Sequence, residues 1–143
     1  MKFLLLANND SDGIGQTVIN LSTNLKKLNQ EVKIAVLDSK TNNKNVKIIK
    51  RMFFFRIISF LFNFTKIKKI NSFKKNFLKL FWFDITTINF KSIKNDIIES
   101  DVIIIFTFSK FISNKTFEKI MKSKKIIFLR PLDLELATGG CHF

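Results

Sequence analysis

The chain has 143 residues, enough for one domain of ordinary size with a single core and too few for two full domains. An apolar fraction of 46% argues against a disordered chain. One cysteine, Cys141, rules out an internal disulfide, and with a single histidine, His142, beside it the set falls short of a zinc site.

The formal charge of +14 has two readings. It points to an anionic partner such as nucleic acid, an acidic lipid surface or a phosphorylated substrate. Equally, a chain rich in Lys, Ile, Asn and Phe with only three Arg (Arg51, Arg56, Arg130) is what an A/T-rich coding bias produces.

In chain order, Phe3 to Ala7 is a short continuous apolar run ending in Asn, Asp, Ser and Gly, the pattern of a strand buried on both faces. The run breaks at Asn8 and is too short for a signal peptide, which places the chain in the cytoplasm. Ile14, Val18, Leu21, Leu25 and Leu28 recur at three- and four-residue spacing and predict one face of a helix. Val32 to Leu37 predicts a second strand, completing a strand, helix, strand unit of the kind joined by a right-handed crossover.

Residues 39–83 differ in kind: twelve Lys or Arg, no Asp or Glu, and many Phe, from Phe53-Phe54-Phe55 through Phe81-Trp82-Phe83. Arg56 and Lys66 break the longest apolar stretch, leaving it short of the ~20 residues that span a bilayer. Two readings stand for this basic, Phe-rich helical insertion. It lies on an anionic membrane surface, peripherally on the inner face, or it packs on the sheet with its lysines solvated. Scarce Arg and the lack of a recognisable motif argue against nucleic acid.

Alternation then returns. Ile93, Ile97 and Ile98 precede a predicted strand from Val102 to Phe106, a helix is expected near Asn114 to Met121, and Ile126 to Leu129 predicts another strand. The fold class expected is α/β, a Rossmann-like doubly wound parallel sheet, with ligands beyond the carboxyl ends of the strands.

Two strand ends carry candidate chemistry. One is the turn Asn8-Asn9-Asp10-Ser11-Asp12-Gly13-Ile14-Gly15, where glycines admit a ligand close to the backbone and helix-start N–H groups attract phosphate. Val18 stands where a dinucleotide fingerprint wants a third glycine, which weighs against a nicotinamide cofactor and against a different small Rossmann-like enzyme acting on a nucleotide. The other is the stretch from Arg130 to Phe143, where Asp133, Glu135 and His142 could hold sugar hydroxyls or exchange a proton.

Thr138-Gly139-Gly140-Cys141-His142-Phe143 resembles the Thr-Gly-Gly-Cys-His-Tyr segment of a subset of bacterial family 4 glycosyltransferases that build surface polysaccharides. The opening unit, Asn9 to Gly15 followed by an apolar helix and Glu31 to Val36, looks like that family's first unit, and Phe81 to Thr86 through Glu99 to Ile104 looks like its approach to the central strand. The resemblance implies two Rossmann-like domains across a cleft. Residues 1–143 would be the N-terminal, acceptor-side one, incomplete, with the C-terminal donor-binding domain absent.

By the same matching, Gly13, Ile14 and Gly15 would meet the diphosphate of a nucleotide-sugar donor, and Asp133, Thr138, Gly139, Gly140 and His142 would line the side of a glycan or lipid-linked acceptor. The reaction implied is retaining transfer with no cofactor and no bound metal, and the chain alone is expected to be inactive. No residue is assigned a catalytic role. Where many relatives carry histidines, this chain has Phe106 to Phe108 and Leu132, and Glu135 replaces a residue that is usually apolar. The alternative reading is a non-catalytic basic protein bound to an anionic membrane surface.

Overall fold

The structure is a computed structural model that describes residues 1–41, 45–49, 88, 90–108 and 111–130. Five strands and three helices follow in the order β1 (Lys2–Asn9), α1 (Gly13–Lys27), β2 (Glu31–Asp38), β3 (Val46–Ile48), α2 (Phe90–Glu99), β4 (Val102–Ile105), α3 (Asn114–Met121) and β5 (Ile126–Leu129). All strand pairs are parallel, in the order β3-β2-β1-β4-β5, so the chain winds one way from β1 and the other way from β4. This is the expected Rossmann-like α/β fold.

β1 lies at the centre because it can be buried on both faces. Leu4, Leu5, Leu6 and Ala7 are all at or below 1% exposure. Alternate side chains feed two cores. Leu4 and Leu6 join Ala35, Leu37, Ile103 and Ile105 beneath α2 and α3, which contribute Ile93, Ile97 and Ile120. Leu5 and Ala7 join Ile34, Val36 and Phe106 on the opposite face, against Val18 and Ile14 of α1. Each buried Leu, Ile, Val or Phe among them contributes about 1.5–3 kcal/mol.

The helix ends are set by local chemistry. Asp12 caps α1 by accepting the Gly15 N–H at 2.8 Å, and Ser113 caps α3 by accepting the Thr116 N–H at 2.9 Å. α1 stops at Asn29, in the left-handed region with φ 57°, where the Gln30 N–H reaches back to the Leu25 carbonyl at 3.0 Å. That turn leaves Leu28, expected on the apolar face, 68% exposed. Ile98 likewise lies outside the core, while its neighbours Ile93 and Ile97 are buried.

Strand β3 lies inside the span expected as a helical insertion. Val46 to Ile48 pairs with Ile34 to Val36, and Ile49 beyond it is buried, so these residues belong to the sheet edge. The Phe-rich portion from 50 to 83 lies outside the described residues. No helix among the described residues is long and apolar enough to cross a membrane.

Ion pairs hold α2 to this β3 edge of the sheet. Asp96, buried, accepts from Lys47 of β3 at 2.5 Å and lies 3.8 Å from Lys33 of β2, which also reaches Glu99 at 2.5 Å. The lysines are about half exposed, so solvent discounts these pairs. Asp96→Ala should cost about 1–2 kcal/mol in urea unfolding, with Glu99→Ala, at an exposed position, costing less.

Candidate functional site

Because every strand is parallel, the loops after β1, β2, β4 and β5 all leave from one carboxyl edge, and the winding reverses between β1 and β4. Open sheets of this kind bind ligands in the crevice at that reversal. The turn after β1 is built there from its own side chains. Asn9 Oδ1 accepts the N–H groups of Ser11 and Asp12, both at 3.1 Å, and Asn9 Nδ2 donates to Asp12 at 2.7 Å.

Gly13, Ile14 and Gly15 have three different surroundings. Gly13 is exposed, and a Cβ added to it would meet nothing within 4 Å. Ile14 packs its side chain against the core under α1. Gly15 is buried, and a Cβ there would lie 2.2 Å from the carbonyl carbon of Asp10 and 2.7 Å from its Cα. Helix and strand end therefore touch through a space that only glycine leaves open. Of the three, Gly13 offers an open backbone, whereas the Gly15 N–H is already taken by Asp12.

Asp10 is fully buried and turned away from the crevice. It accepts the Ser39 hydroxyl at 2.5 Å, the Lys40 N–H at 2.9 Å and the Thr41 hydroxyl, all from the segment after β2. Burial pushes its carboxyl up, but the hydrogen bonds from Ser39, Thr41 and Lys40 outweigh it and hold the group below the ordinary aspartate range. Asp12 behaves alike: burial opposes the charge, and the Gly15 N–H and the Asn9 amide hold its carboxyl low. The clamp joins the ends of β1 and β2 across ~30 residues of sequence, and no spacing rule points to it. The only hint was a run of small polar residues, Ser39 and Thr41, just past a strand.

Two further groups mark the crevice. Thr107 follows β4, whose register pairs Leu6 with Ile105 and whose next residue donates from Phe106 N to the Leu6 carbonyl at 2.9 Å. Thr107 thus continues the sheet edge beside the turn, and its Oγ1 is buried with no hydrogen-bond partner among the described residues. Arg130 follows β5, donates its N–H to the Ile105 carbonyl at 2.9 Å and sets its guanidinium 5.8 Å from the centroid of the Phe106 ring. Thr107 does not stand out in the sequence, where it sits between two phenylalanines, and Arg130 opens the second candidate stretch without a role of its own.

Asp133, Thr138, Gly139, Gly140 and His142 lie outside the described residues. The chain reaches them from Arg130, at the same carboxyl edge as the turn. Among the described residues no group of His, Cys, Asp and Glu is arranged to hold a metal ion. Comparison with family models, with curated proteins and with solved structures yields no match.

Two outcomes are expected of this geometry. Gly15→Ala should cost at least about 2 kcal/mol in urea unfolding, since backbone must yield, while Gly13→Ala should stay within about 0.5 kcal/mol of the parent. Asp10 has a folded-state pKa below its unfolded value, so its contribution is complete above about pH 4 and is lost as pH falls through the folded value. Unfolding free energy measured against pH should therefore fall on the acid side, and Asp10→Asn should flatten that slope.

Proposed function

We propose that the chain is the acceptor-side, N-terminal portion of a retaining glycosyltransferase that works on surface polysaccharide at the cytoplasmic face of a membrane. One observation carries this reading. The glycine turn after β1 and the exit of β5 at Arg130 share the carboxyl edge of one parallel sheet, and the Thr138-Gly139-Gly140-Cys141-His142 run that resembles family 4 enzymes begins eight residues beyond Arg130.

In such a transfer the bond from the sugar's anomeric carbon to a diphosphate oxygen breaks and one to an acceptor hydroxyl oxygen forms with retained configuration, the hydroxyl's proton passing to the departing nucleoside diphosphate. The chain's share is to hold the acceptor. Asp133 and His142 would accept and donate hydrogen bonds to sugar hydroxyls, with Thr138, Gly139 and Gly140 shaping the approach. The unsatisfied Thr107 hydroxyl is a further group that a sugar hydroxyl would complete.

Gly13, with open space around it, is where a diphosphate could come near the backbone, and Arg130 adds positive charge to the same edge. Asp12 works against an anion at that helix start, because its carboxylate already holds the Gly15 N–H. Most donor affinity would then come from a second domain.

A glycan array of bacterial surface oligosaccharides, probed with the purified chain, tests the proposal. Binding to a defined subset is expected, weakened about tenfold or more in Asp133→Asn and His142→Ala. No oligosaccharide binding, or binding indifferent to both substitutions, would remove the assignment.

A further inference from the structure

Between α2 and α3 runs an open groove of about 410 Å³ lined by Phe90, Lys94, Ile97, Ile98, Lys119, Lys122, Ser123 and Lys125. Its floor is apolar and four of those eight residues are lysines. Ile98 is 58% exposed there, beside Phe90 and Ile97, so an apolar floor is rimmed by ammonium groups.

Three of these lysines make contacts around the floor. Lys119 Nζ lies 5.4 Å from the centroid of the Phe90 ring. Lys125 Nζ donates to the Ile98 carbonyl at 2.9 Å, closing the carboxyl end of α2. Lys122 pairs with Glu118 at 2.5 Å, a solvent-exposed i,i+4 pair that does not tie that lysine down. One carboxylate against four ammonium groups leaves the rim positive.

We propose that this groove is a contact site for an anionic membrane surface, with Ile98 and Phe90 reaching the acyl boundary and Lys94, Lys119, Lys122 and Lys125 meeting acidic lipid headgroups. Charge complementarity selects this occupant. Compact ammonium groups on flexible stems suit a laterally mobile array of phosphates, and their stems cover the apolar floor while the heads stay in water. The groove formed by α2 and α3 is distinct from the carboxyl edge, and the proposal stands whether or not the chain takes part in sugar transfer. It also separates a local site from the overall charge of +14, because a bias in coding would scatter lysines without regard to an apolar floor.

Flotation of the full chain with vesicles of phosphatidylcholine alone, or mixed with phosphatidylglycerol, tests it. Binding only to the mixed vesicles, weakening as salt rises, is expected. Each groove lysine neutralised should lower the partition about fivefold, so Lys94→Gln with Lys119→Gln should lower it about 25-fold. Ile98→Gln should weaken binding without altering charge. Lys26→Gln with Lys27→Gln, the same loss of charge at the end of α1, is the control and should lower the partition far less. Failure of the parent chain to float with acidic vesicles, equal flotation with neutral ones, or equal losses in the groove and control variants would each overturn the proposal. A groove variant that loses its far-UV circular dichroism is replaced in this comparison by Lys122→Gln, whose side chain lies on the surface.

Discussion

The contact of Gly15 with the backbone of Asp10 governs how this molecule can be assembled. A methyl group at that position would sit 2.2 Å from a carbonyl carbon, so α1 can start where it does only because position 15 carries none. The same aspartate sends its side chain the other way, into the hydroxyls of Ser39 and Thr41 and the N–H of Lys40. One residue thus sets the helix against the strand end and ties the first crossover to the second. With the turn held from both sides, Gly13 is presented at the edge of the sheet rather than folded under it.

Much of the architecture was legible because the strands are parallel and doubly covered. Leu4 to Ala7 and Val102 to Ile105 read as unbroken apolar runs for that reason, and the helix face through Ile14 and Val18 read from its spacing. Strand β3 did not, since three residues reading Val, Lys, Ile in a lysine-rich stretch carry too little pattern to separate from their surroundings. Leu28 read as buried because periodicity continues past a helix end that Asn29 decides by its backbone conformation.

The candidate site was legible in part. The turn was visible through its glycines, but their separate tasks were not, because the demand on Gly15 comes from Asp10 in the folded state and no spacing rule encodes it. Asp10 was one of several polar residues in a turn, and its partners lie 29 to 31 positions away. Thr107 becomes conspicuous only once the fold buries its hydroxyl away from any partner among the described residues. The closing segment was readable by resemblance alone, and its residues 131–143 lie outside those described.

The proposed function puts binding at the carboxyl edge of the sheet, where β1 and β4 part. Amide shift mapping of the ¹⁵N-labelled chain during titration with a bacterial surface oligosaccharide addresses that assignment most directly. The account predicts shifts concentrated on Asn8 to Gly15, Thr107, Phe108 and Arg130. Shifts gathered instead at the opposite edge, around Lys2, Glu31 and Asp101, would contradict it.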